Sequence, residues 1–187
     1  MIKRIALLTV IASTLLFSCK NSQSDKNSKE KNTQTETKPK NEKLQKLELE
    51  ASRLRAGGSI KNVELDNGKA TIEYVKDYNE YKKVNPQSSL SKSMWETYWE
   101  TGEAVKKAMV DGSVKLMKKL DYLNEVNIKI PYKTKTYSID VKKSKLEKFV
   151  GSDFKTIKSD WDNKFSNPYV YDDNGRNKFF TKFGTVE

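Results

Sequence analysis

Residues 88–123 read SSLSKSMWETYWETGEAVKKAMVDGSVKLMKKLDYL, and the phase of their apolar residues decides what the flanking segments must do. Met94, Tyr98, Val105, Met109, Leu116, Leu120 and Leu123 recur by threes and fours, or by sevens where Gly102 and Gly112 share the face. That is the period of a helix with one apolar stripe. Glu96, Glu100, Glu103 and Lys107 fall on the opposite side, Trp95 and Trp99 on a flank. An unbroken helix over 90–123 would be about 50 Å long at the standard rise, large for a domain of this size. Asp111 and Gly112 are therefore the expected kink or break. Ser93 and Glu96 have capping-box spacing, and Ser89 is an alternative start.

A helix with one apolar face needs a partner surface, and the segments on either side supply strands. Upstream, SIKNVEL and KATIEYV flank Asn67–Gly68, the dipeptide of a two-residue hairpin turn. That turn pairs Asp66 with Lys69, Leu65 with Ala70 and Val63 with Ile72, giving one apolar and one polar face. Downstream, 126–141 (VNIKIPYKTKTYSIDV) reads as a second hairpin. Pairing Tyr132 with Tyr137 across a four-residue loop also pairs Ile130 with Ile139 and Ile128 with Val141, and Pro131 directs this hairpin to a sheet edge. Between the first hairpin and the helix, Lys76–Gln87 reads as a tyrosine-bearing loop. After 141, Ser144 and Glu147 have capping-box spacing for a short helix ended by Gly151. Phe154, Ile157, Trp161 and Phe165 mark another helix, and PYVYDDNGRNKFFTKF looks like a third hairpin around Asn174–Gly175 with Asp173 opposite Arg176. The expected fold is α+β over 42–187, a single domain of antiparallel hairpins forming a sheet against the 88–123 helix plus shorter helices. The order of the hairpins in that sheet is not legible here.

Ahead of the first hairpin, EKLQKLELEASRLR (42–55) places Leu44, Leu47, Ala51 and Leu54 on one helical face, with Asn41 as cap and Gly57–Gly58 as stop. Docking on the domain is the expected fate, and a short self-pairing coil the alternative. Residues 20–40, KNSQSDKNSKEKNTQTETKPK, carry no large apolar side chain. Such a segment cannot offset its ordering entropy and is expected to be a disordered tether, with a mean reach of roughly 25 Å.

Residues 1–19, MIKRIALLTVIASTLLFSC, open with Lys3 and Arg4, continue with an apolar run from Ile5 to Phe17, and end on a serine before a cysteine. The run has the length of a signal-peptide core and is short for a membrane span. With Leu16, Phe17, Ser18 and Cys19 in the four lipobox positions, the segment resembles bacterial lipoprotein signal peptides. The resemblance implies a signal peptide over 1–18, cleavage before Cys19, and a thioether-linked diacylglycerol with acyl lipid (palmitate or similar) on Cys19, followed by the polar tether 19–41. It implies an extracytoplasmic protein anchored in a lipid bilayer without spanning it: on the outer membrane in a Gram-negative cell, on the outside of the plasma membrane otherwise.

Composition narrows the chemistry. The chain has no histidine, and Cys19 is its only cysteine. This excludes disulfides, thiol catalysis in the domain, Ser-His-Asp chemistry and metal sites built on imidazole or thiolate. The expected cofactor set is empty apart from the lipid on Cys19. The formal charge is +11, but Lys3 and Arg4 leave with the leader and residues 20–46 hold eight lysines against four acids. What remains is a modest basic excess, which suits a solvated surface beside anionic lipid or polymer rather than a nucleic-acid partner.

The sites with any chemical reading are few. Trp95 and Trp99, with Tyr78 and Tyr81 of the preceding segment, are the candidate binding residues for an envelope protein or a glycan. Aromatics at these spacings equally serve as core. Glu96, Glu100 and Glu103 are the carboxylates that a glycosidase would need, but their phase assigns them to a solvated face. Asp172–Asn177 lacks the ligand spacing of a calcium loop. The expected function is a non-catalytic binding module on a lipid anchor, and the alternative is an envelope hydrolase using carboxylates alone on glycan.

Overall fold

Asn67 and Gly68 both adopt positive φ, 46° and 81°, as a twist-matched two-residue hairpin turn requires. They join β1 (Ile60–Asp66) to β2 (Lys69–Tyr74) in the expected register, with Asp66 opposite Lys69 and Val63 opposite Ile72. The computed structural model describes residues 41–187. The leader 1–18, Cys19 and the tether up to residue 40 lie outside the described residues.

The second hairpin pairs β3 (Glu125–Tyr132) with β4 (Lys135–Lys142), but its register is two residues tighter than expected. Lys133, at φ 55°, begins a two-residue turn that sets Tyr132 opposite Lys135, Ile130 opposite Tyr137 and Ile128 opposite Ile139. A shift of two keeps every side chain on its face, so Val126, Ile128, Ile130, Ile139 and Val141 still point into the core. β3 lies in the middle of the sheet. Pro131 is tolerated because it falls beyond Lys129, the last residue of β3 paired with β2.

The sheet has strand order β1-β2-β3-β4-β5. β2 and β3 run parallel, Lys69 beside Glu125, and the neighbours on either side are antiparallel. The fold is therefore α+β with a mixed sheet. The connection between the parallel strands carries the 88–123 stretch, which forms two helices, α3 (Lys92–Trp99) and α4 (Glu103–Lys119). The break falls at Gly102, φ 69°, and not at Asp111–Gly112. Asp111 instead accepts from Arg55 Nε at 2.8 Å. A Cβ on Gly112 would stand 3.2 Å from Ile128 Cδ1 and 3.3 Å from Leu54 Cδ1. The apparent helix breaker is thus the close approach between α4, β3 and the leading helix. Breaking at Gly102 also rotates α3 out of phase, so Met94 is 61% and Tyr98 44% exposed while Trp99 is 3% exposed. Ser91, rather than Ser93 or Ser89, caps α3.

The leading helix α1 (Glu42–Ser52) is docked, with Leu47 and Ala51 buried and Leu54 buried just beyond its end, and Asn41 accepts from Lys43 N at its start. Three other expectations are revised. The segment after β2 contains α2 (Tyr78–Val84), capped by Asp77. Helix α5 (Lys143–Val150) follows β4 directly, so Ser144 sits within its first turn and caps nothing, while Glu147 accepts from Phe154 N at the head of α6 (Phe154–Ser159). The helix marked by Trp161 and Phe165 continues as a π-helical segment, Asp162–Tyr171, and the supposed third hairpin is α7 (Asp173–Phe183), with only β5 (Gly184–Val186) extended after it. Asp172 accepts from Gly175 N at 2.6 Å and starts a helix where Asn174–Gly175 would otherwise turn the chain. Gly175 serves close packing, because a Cβ there would strike the Pro168 carbonyl. Among the described residues no helix is long and apolar enough to cross a membrane.

Candidate functional site

At the end of the sheet where β2 and β3 finish, Tyr74, Tyr78, Tyr81, Trp95, Tyr98 and Trp99 form one aromatic cluster. Tyr74, the last residue of β2, is fully buried and donates to the Arg55 carbonyl at 2.9 Å; burial holds its phenol far above the ordinary tyrosine range. Its ring meets Trp99 edge-on at 6.1 Å between centroids, Trp99 meets Tyr98 edge-on at 4.8 Å, and Trp95 stands 6.4 Å from Trp99. Tyr78 and Tyr81, one turn apart on α2, stack at 5.9 Å and lean on Trp95 at 6.4 and 6.3 Å. A two-turn helix is held in this way by an aromatic ladder whose pairs prefer edge and offset geometries.

The polar tips of Trp95, Tyr78 and Tyr81 are engaged in the framework. Trp95 Nε1 donates to Ser59 Oγ at 3.1 Å, Tyr78 donates to the Leu90 carbonyl at 2.7 Å, and the Tyr81 and Ser88 hydroxyls share a bond of 2.7 Å. What is left for a ligand is ring face. A cleft of about 680 Å³ opens along Tyr78, Trp95 and Trp99, within the range of small-ligand sites. Its opposite wall is the tip of the second hairpin: Tyr132, whose hydroxyl donates to the Glu100 carbonyl at 2.7 Å, and Lys133, whose ammonium lies over the Tyr132 ring at 5.1 Å.

The rim carries Lys76, Lys92 and Lys133 against Asp77, Glu96 and Glu100, an even balance of charge. One oxygen of Asp77 is occupied by the Glu80 amide at 2.8 Å, and Glu96 lies 3.8 Å from Lys92. Glu103, expected on the solvated face with them, instead reaches α7: its Oε2 accepts from Arg176 at 3.0 Å and its Oε1 from Lys106 at 2.9 Å. The Glu103 carboxyl is pushed up by partial burial and pulled down by those two donors, and the net shift is downward.

Of the four aromatic residues expected to bind, Tyr78 and Trp95 line the cleft, Trp99 borders it as a buried floor, and Tyr81 stands behind it, outside the lining. Sequence reading missed the hairpin tip, because the looser register put Tyr132 opposite Tyr137 and gave Lys133 no role. The positive φ at Lys133 is the structural mark of that tip. Among the described residues no group of His, Cys, Asp or Glu could hold a metal ion. Comparison with protein families, with curated proteins and with solved structures finds no match to this chain.

Proposed function

We propose that the chain is a bacterial lipoprotein held at the envelope by Cys19, and that its folded part is a non-catalytic module that binds an envelope ligand in the aromatic cleft. The observation carrying this reading is that Tyr78 and Trp95 are fixed by their polar tips and line an open cleft over the buried Trp99, which ring contacts hold in place. Preorganised aromatic faces bind flat apolar surface at low entropic cost. The evenly charged rim suits a ligand that is neutral or zwitterionic overall. A glycan strand, with one apolar face on each sugar ring and hydroxyls at its edges, fits that description. Anchoring supports the reading because a tether raises the effective concentration of a weak binder for whatever shares its membrane.

Co-sedimentation with purified cell-wall sacculi tests the cleft. The chain should be retained, and Trp95→Ala should weaken retention about tenfold, the scale of one lost aromatic contact. Met94→Ala, on the same helix but outside the cleft, should not. Equal retention of all three overturns the cleft, and release of soluble glycan fragments would favour the carboxylate-only hydrolase. The anchor is tested separately, by mass spectrometry of the N-terminal peptide from native membranes. An unmodified Cys19 would refute it.

A further inference from the structure

The aromatic cleft occupies one end of the sheet, and the other end is built of lysine. There β2 and β3 begin at Lys69 and Glu125 and β4 ends at Lys142. Lys69 and Lys142 share Glu125, at 2.5 and 3.2 Å, and Lys69 also reaches Asp140 at 3.5 Å, so the two acids here are already neutralised. Around them a hollow of about 1000 Å³ is lined by Lys145 and Lys148 of α5 and Lys182 of α7, over Phe149 and Phe183. These three lysines are exposed and have no ion pair among the described residues. Unpaired ammonium groups concentrated on one surface repel one another, and an anionic counter-surface relieves that repulsion.

The same end receives the chain from the tether. Helix α1 starts here: the Tyr122 hydroxyl donates to the Lys43 carbonyl at 2.5 Å, Lys143 N donates to the Asn124 carbonyl at 2.9 Å, and Asn124 N to the Gly68 carbonyl at 2.8 Å. Asn41 and the lysine hollow therefore lie at one pole, and the aromatic cleft at the other, where Tyr132 meets Glu100.

We infer that the lysine pole is a docking surface for an anionic phospholipid bilayer, which seats the domain on the membrane with its aromatic cleft facing away. The inference rests on the anchor proposed above, since a chain tied down at Cys19 enters the domain on this side. Clustered lysines near anionic headgroups gain about fivefold in binding each. They lose most of it to salt.

The test uses the mature chain from residue 19 with Cys19→Ser, which carries no lipid and no other cysteine. It should bind phosphatidylcholine vesicles containing about a third phosphatidylglycerol and ignore pure phosphatidylcholine. A Lys145→Glu, Lys148→Glu, Lys182→Glu variant should lose at least tenfold, and the matching glutamine variant should lose less, with the same sign. Circular dichroism checks that both fold. A fluorophore at Ser144→Cys should be quenched by headgroup-borne quencher, while one at Lys133→Cys should not. Binding unchanged by the reversals would assign attraction to the tether lysines and overturn the inference, as would equal quenching at both labels. Binding to a soluble polyphosphate but not to vesicles would make the hollow a ligand site instead, and also overturns it. Pole-dependent vesicle binding with an unmodified Cys19 in cells would retain the surface and remove the anchor. An acylated Cys19 without pole dependence does the reverse.

Discussion

Replacing Arg176 by alanine would strip a guanidinium that is 4% exposed from Glu103, from Asp173 at 2.5 Å and from the Val170 carbonyl at 2.8 Å. The two carboxylates reach solvent and would rehydrate, so the cost falls on the orphaned carbonyl and the lost packing, about 2–3 kcal/mol in urea unfolding. Arg176→Lys should recover no more than half, because an ammonium lacks the fork that serves all three acceptors. Glu103 links this site to pH. Its folded-state pKa lies below its ordinary value, so its contribution is present above the ordinary glutamate range and is lost as pH falls through the depressed value. Glu125, lowered first by the Lys69 hydrogen bond, acts with the same sign. Stability measured across the acid range should therefore decline more gently in Glu103→Gln and Glu125→Gln. Sequence reading could not find the Arg176–Glu103 pair. The two residues come from α7 and α4, and only the tertiary fold makes them neighbours.

At the scale of elements, Gly102 and Gly112 make opposite predictions. Gly102 lies in the left-handed region with only the Tyr137 hydroxyl within reach, 3.8 Å from an added Cβ, so Gly102→Ala costs backbone strain alone, about 1–2 kcal/mol. At Gly112 the backbone is helical and alanine improves propensity by roughly 1 kcal/mol, which the two tight methyl contacts offset. Gly112→Ala should thus sit close to the parent, and Gly112→Leu should lose several kcal/mol by overpacking where α4 meets β3. Thermal unfolding of the three variants decides both. The same positions show why elements were unevenly legible. Period and turn chemistry specify β1, β2, α1 and the identity of the inward face of β3 and β4, since each is a local property. They mislead where one dipeptide has two uses: Asp111–Gly112 resembles a break but serves an ion pair and a close approach, and Asn174–Gly175 resembles a turn but lies in the first turn of a helix capped by Asp172. In the cleft, aromatic type and spacing pointed to Tyr78, Trp95 and Trp99. The facing wall at Tyr132 and Lys133 depended on a register that alternation alone does not fix.

For the molecule as a whole, α1 is an integral part of the folded unit. Leu47 is fully buried against the sheet and α4, so Leu47→Ala should cost about 3 kcal/mol, and a chain beginning at Gly57 should unfold at markedly lower temperature and bind hydrophobic dyes. The sheet could not be ordered from sequence because each hairpin is specified by its own turn, while the junction between them is specified by nothing local. That parallel junction also sets a timetable. Both hairpins close short loops and need only their own residues, whereas setting Lys69 beside Glu125 must wait for all of α2, α3 and α4 to emerge and fold back. Joining the two hairpins is then the slow step of folding. Leu65→Ala, in a hairpin already formed when the join is made, and Ile128→Val, at the junction itself, should both slow refolding, with Leu65→Ala leaving the unfolding rate nearly unchanged. Until the join is made, the facing edges of β2 and β3 are both unpaired, and a newly made chain is at that moment most exposed to pairing with a neighbour of its own kind.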